Sequence, residues 1–167
     1  MGQCSGISPD WHRTRDTDLA LSDLIEQVQR EAARDVGIET RARRLAELIR
    51  AGTDRRWVGI YGVGDGEVRN LGWSGPAAPA YPNFPITDGL TGAAVLACAS
   101  VLSNDVGNDP RYLTNQDSTG SELIVPVLDG DAVVGTLDIE DERTGAFTAD
   151  DQALFEDVAD ALRALYR

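Results

Sequence analysis

The segment from Glu122 to Glu140 constrains this chain more than any other. ELIVPVL and AVVGTLDIE are two apolar, β-branched runs separated only by Asp129-Gly130-Asp131, a turn sequence that closes antiparallel hairpins. A second hairpin is written upstream, where WVGIYGV runs from Trp57 to Val63, Asp65-Gly66 supplies the turn, and residues 67–73 return. Strands joined by tight turns must run antiparallel, because a parallel pair needs a long crossover. Val101 to Ser103 adds a short strand candidate, and a loop marked by Pro76, Pro79, Pro82 and Pro85 follows the first hairpin. The fold class expected is therefore α+β, with a mainly antiparallel central sheet of about five or six strands and helices on both faces, rather than a parallel doubly wound sheet.

The helices come from a different period. Leu21, Leu24, Ile25 and Val28 recur at helical spacing within 17–36, with Gly37 placed to end the helix, and Ala42, Leu45, Ala46, Leu48 and Ile49 do so within 39–51, closing at Gly52. GLTGAAVLACA, capped by Thr87 or Asp88, is a short helix whose small residues suit close packing onto a sheet. A last helix opens at Thr148, with Asp151 in the capping-box position, and carries Leu154, Phe155, Val158, Leu162 and Leu165 on one face. Residues 1–16 show no periodicity and read as a disordered leader. Residues 17–167 read as one domain, with helices over 17–52 and the sheet, inserted helix and final helix over 55–167.

Composition removes several function classes. A formal net charge of -13 over 167 residues repels polyanions, so nucleic acid is not an expected partner. The arginines at 41, 43, 44, 50, 55 and 56 lie beside Glu39 and Glu47 and read as a solvated face. No apolar stretch approaches the ~20 residues of a membrane span, and no signal segment precedes the domain. The two cysteines, Cys4 and Cys98, make neither a metal spacing nor a disulfide framework, so a reducing cytoplasm is the expected location. His12 is the single histidine, which leaves no zinc set and no nucleophile–histidine pair; no metal or other cofactor is expected.

Carboxylates are the conspicuous chemistry. On alternating strands Glu122 shares a face with Ile124 and Pro126, and Asp138 with Thr136 and Glu140. A three-residue turn pairs Leu128 with Ala132 and sets Glu122 opposite Asp138; a two-residue turn sends the acids to opposite faces. Facing carboxylates raise each other's pKa and favour a cation between them. The competing reading is a charged, solvent-facing sheet end that keeps an edge soluble. Trp57 and Tyr61, four apart on a strand, share one face and serve either as core packing or as aromatic walls beside the acids. Residues 104–120 are polar and longer than compact domains usually keep, with Tyr112, Thr114 and Asn115 as lid candidates.

WVGIY, GLTGAAV, SELIVP, GTLDIE and the following GAFTADDQALFEDVADAL together resemble a GAF domain, in particular the branch of free methionine-R-sulfoxide reductases. The resemblance covers about residues 57–165. It implies catalytic or assisting cysteines at positions that here fall near Tyr81, at Thr91 and near Asn115, none of which is cysteine. It also implies a ligand pocket in which Glu122, Asp138 and Glu140 supply the acids and Trp57 and Tyr61 the aromatic walls. A threonine hydroxyl cannot replace a thiolate that attacks sulfur and then forms a disulfide. The expectation is a ligand-binding sensor or regulatory module without catalysis, its site drawn from Trp57, Tyr61, Tyr81, Thr91, Asn115, Glu122, Asp138 and Glu140, with an amine-bearing small molecule as ligand. The alternative is a reductase-like oxidoreductase that has moved its thiol chemistry to Cys98, with Cys4 reaching over, although a cysteine in an alanine-rich helix reads more simply as a buried small hydrophobe. The first and last amphipathic helices are expected to pair in a homodimer.

Overall fold

The computed structural model describes residues 11–113 and 118–167. Six strands form one antiparallel sheet in the order β3-β2-β1-β6-β5-β4, where β1 is Trp57–Gly64, β2 Glu67–Ser74, β3 Asn83–Pro85, β4 Val101–Ser103, β5 Ser121–Asp129 and β6 Ala132–Asp141. The helices are α1 (Trp11–Ala32), α2 (Ile38–Thr53), α3 (Gly89–Ala97) and α4 (Ala149–Leu162), the last running into a tight turn over Arg163–Tyr166. Antiparallel pairing of β1 with β6 brings the two hairpins together at the centre of the sheet.

One face of the sheet carries the main core. Val58, Ile60, Leu123, Val125, Leu137 and Ile139 meet Leu24 and Val28 of α1, Leu45 and Ile49 of α2, and Phe155, Val158 and Leu162 of α4, all buried. The helical spacing of these residues is what turns a stripe of each helix inward. On the opposite face α3 sets Leu90 and Ala94 on Ile124. The helices thus cover both faces.

Several boundaries differ from the sequence reading. Helix α1 starts at Trp11, six residues inside the expected leader, and ends at Ala32; residues 1–10 lie outside those described. Gly37, expected to end α1, is instead the N-cap of α2 with an ordinary φ of -54°. Helix α2 runs through Gly52 and stops at Asp54, which takes the left-handed conformation at φ 50° that aspartate tolerates. Gly52 serves packing, since a Cβ there would lie 2.8 Å from Leu24 Cδ1. The Pro-rich loop contains β3, a three-residue edge strand paired with β2 and ending on Pro85, a proline position that an edge strand tolerates.

The first hairpin turns on Asp65 (φ 54°) and Gly66 (φ 80°), as its sequence dictates. The second departs from the three-residue turn. Asp129 pairs with Ala132, leaving a two-residue turn at Gly130-Asp131. The register then slips: Leu128 pairs with Val133 but Val127 with Gly135, so Val134 is a bulge residue. That single extra residue reverses the parity which a two-residue turn alone would impose. Glu122 now pairs with Glu140, not Asp138, and Asp138 pairs with Ile124.

Two side chains lock the far ends of the chain to this frame. Arg55 donates to Ala146 O at 3.1 Å, pairs with Asp151 and lies 3.9 Å from Asp141, with its guanidinium 4.8 Å above the Phe147 ring. Tyr166 reaches the sheet where Gly62 and Gly135 face each other, and its hydroxyl donates to the Tyr61 carbonyl at 2.7 Å. A Cβ on Gly135 would stand 2.2 Å from that hydroxyl, so the contact requires glycine there.

Candidate functional site

The α3 face of the sheet holds a cavity with a polar floor. Parity within β1, β5 and β6 points Tyr61, Glu122, Asp138 and Glu140 away from the apolar core and toward α3, whose first residues Gly89, Leu90 and Thr91 form a second wall. Asp88, Phe84, Tyr81 and Leu113 complete the lining. The interior is small, about 30 Å³ as swept by the centre of a water-sized sphere, which is room for roughly two waters.

The acids are buried. Glu122 is 8% exposed, Asp138 4% and Glu140 2%. Asp138 accepts hydrogen bonds from Thr136 Oγ1 at 2.8 Å and from Thr91 Oγ1 at 3.3 Å. Glu140 accepts one from Thr119 Oγ1 at 2.5 Å. Burial raises the Asp138 pKa to about 7; the two threonine hydroxyls pull it down while Glu140 adds to the rise. Glu122 is raised well above the ordinary glutamate range, first by burial and then by the charges of Glu140, Asp138 and the more distant Asp109. Asp109 itself stays ionised, held low by its two-pronged pairing with Arg111 at 2.9 and 2.7 Å. The Tyr61 hydroxyl is pushed up by burial and by all three acids, opposed by the Asn70 side chain. Tyr61, Glu122 and Asp138 are thus all raised, first by burial and then by neighbouring negative charge.

Of the residues singled out in the sequence, Tyr61, Tyr81, Thr91, Glu122, Asp138 and Glu140 surround this one cavity. Trp57 does not line it. Its ring lies across Gly59, 2.4 Å from where a Cβ would sit, and its Nε1 donates to Ala77 O at 3.0 Å, so it backs the Tyr61 wall from outside. Asn115 and Thr114 lie outside the described residues, and Tyr112 packs half-buried against the cluster of Leu90, Ala94 and Ile124. Sequence reasoning missed Phe84, Asp88, Gly89, Leu90 and Leu113. Phe84 stands edge-on to Tyr61 with ring centroids 5.9 Å apart, a contact that depended on recognising β3. Among the described residues, no group of three or more His, Cys, Asp or Glu side chains is placed to hold a metal ion.

Cys98 overturns its expected burial. Helix α3 stops at Ala97, and Cys98 is the exposed, left-handed residue that ends it (φ 49°), its thiol donating to Val95 O at 3.6 Å. It lies seven residues past Thr91, about 10 Å of helix rise away, and does not line the cavity. Among the described residues, no helix is long and apolar enough to cross a membrane.

The sequence matches the GAF domain family over residues 37–164. The chain belongs to that family. Solved structures similar to this GAF domain include a type II free methionine-R-sulfoxide reductase from Thermoplasma acidophilum, 27% identical, covering 78% of this chain and 95% of that one at a TM-score of 0.72. The free methionine-R-sulfoxide reductase of Neisseria meningitidis, solved with its substrate, aligns over 99% of this chain and 96% of its own at 21% identity and a TM-score of 0.79. A putative GAF sensor protein from Burkholderia vietnamiensis aligns over 90% and 94% at 20% identity and a TM-score of 0.77. No curated protein matches the sequence. The neighbours thus include both enzymes and a putative sensor on one fold.

Proposed function

We propose that this GAF domain binds a small amine-bearing ligand in the cavity between α3 and the sheet, as a sensor or regulatory module without catalysis. The observation that carries the reading is Glu122. It is a buried carboxylate that lines the cavity beside two more buried acids. Burying like charges together is costly, and a ligand ammonium would supply a countercharge and hydrogen-bond donors. Tyr61 adds an aromatic face for cation contact. Among the described residues no cysteine lines the cavity, which supports binding over thiol chemistry.

Thermal denaturation against a panel of free amino acids and simple amines tests this. At least one cation should raise the melting temperature, and Glu122→Gln should abolish the shift; a flat panel overturns the proposal. Reductase chemistry relocated to Cys98 is the competing reading, favoured by the reductase neighbours alone. It requires consumption of free methionine sulfoxide with a thiol reductant, lost in Cys98→Ser. The proposal extends to one domain over residues 17–167 in a reducing cytoplasm, paired as a homodimer through α1 and α4. These two helices already pack on each other within the chain, with Leu19 59% exposed on α1. A sedimenting monomer at micromolar concentration overturns the pairing.

A further inference from the structure

The acids define where a cation would sit, but not how large the rest of the ligand can be. Most of the cavity wall is rigid. Tyr61 is wedged between Trp57, Val68 and Phe84, and Leu90 is 2% exposed against Ala94 and Ile124. The three acids stand on paired strands. Among the described lining residues two are exposed, Tyr81 at 50% and Leu113 at 40%. They differ in what supports them. Leu113 rests on the start of α3, its Cδ1 and Cγ 3.1 and 3.2 Å from where a Cβ of Gly89 would project, and Gly89 is held at φ 73°, where only glycine is unstrained. Leu113 thus lines the cavity while remaining 40% exposed.

We propose that Leu113, seated on Gly89, sets the ligand's size limit and confines the site to primary amines with a short apolar arm. This rests on the reading that the acids receive an ammonium. The arm would run from the acid floor past Tyr61, Phe84 and Leu90 and stop at Leu113. Each methylene buried along that path raises affinity about fourfold, until the arm meets the leucine and the gain ends.

Calorimetric titration with a series of protonated n-alkylamines, from methylamine to hexylamine, measures this limit. Affinity of the unaltered protein should climb with chain length and then break off at a short arm. In Leu113→Ala the break should move to chains longer by roughly two methylenes, with methylamine affinity little changed. In Leu113→Phe it should move to shorter ones. Leu113 is exposed, so neither variant threatens the fold, and Tyr81→Ala serves as the comparison. A break that stays put in Leu113→Ala, or moves instead in Tyr81→Ala, overturns the assignment while leaving the amine site intact. Failure of the unaltered protein to bind any amine in the series overturns the amine reading itself.

Discussion

Asp138 sits where a dry wall and a neighbouring carboxylate oppose its ionisation while two hydroxyls favour it, and the balance leaves it titrating near neutrality. The sign of its effect on stability follows. The unfolded side chain loses its proton near 3.8 and the folded one near 7, so between those values the folded state holds more protons and stability falls as pH rises. Asp138→Asn should therefore leave the melting temperature unchanged at a pH below the ordinary aspartate value. Above neutrality it should stabilise the fold, by on the order of a few kcal/mol at most, and raise the melting temperature accordingly. Differential scanning calorimetry across that range decides the matter, and a variant no more stable at alkaline than at acid pH would contradict the burial argument. The acids and Tyr61 were legible in sequence because alternation assigns a face to each strand residue. Trp57 could be read either as core packing or as a wall, and alternation cannot decide between them: it shares a face with Tyr61 but does not line the cavity, because Gly59 lets its ring lie across the strand. Leu90 and Leu113 carry no local mark, since an apolar residue near a helix start or in a loop looks the same whether it lines a hollow or fills one.

Among elements, the hairpins were readable because their turns are local chemistry, as Asp65-Gly66 shows. Strand β3 was not, because three residues that end on a proline acquire strand character only from the partner beside them. The capping box at α4 was legible and is present: Thr148 Oγ1 accepts from the Asp151 N–H at 3.2 Å, and Asp151 accepts from the Thr148 N–H at 2.8 Å. Thr148→Ala should cost about 1 kcal/mol of stability in denaturant titration. The hook of Tyr166 was not legible, since its partner is a main-chain carbonyl 105 residues away. Tyr166→Phe leaves that carbonyl without its donor and should cost roughly 1 to 3 kcal/mol. Gly135→Ala, which places a methyl against the hydroxyl, should exceed it; equal losses would mean that the glycine is not there for the tyrosine.

At the level of the whole molecule two opposed pH responses coexist. Asp141 is held below the usual range by Arg143, against burial and with help from Arg55; Asp151 is lowered by the Thr148 N–H and hydroxyl and by Arg55, which together outweigh its burial. Both favour the folded state above the ordinary aspartate pKa, and both contributions fade as pH falls through their lowered values. The cavity acids act the other way toward alkali. Stability of the unliganded protein should thus peak at mildly acid pH, and a bound cation should move the peak upward, which thermal melts over pH would register. Self-repulsion from the net charge of -13 adds a salt term, so the melting temperature should rise between low salt and ~0.15 M, where the screening length is ~8 Å.

The bulge at Val134 has a bearing on how the chain finds its register. A hairpin closed on Gly130-Asp131 without that extra residue would deliver Asp138 and Glu140 to the side where Leu123 and Val125 meet the helices. Two carboxylates among leucines and valines form a state no compact fold tolerates, so the misaligned hairpin is rejected by the very groups that give the aligned one its polar hollow.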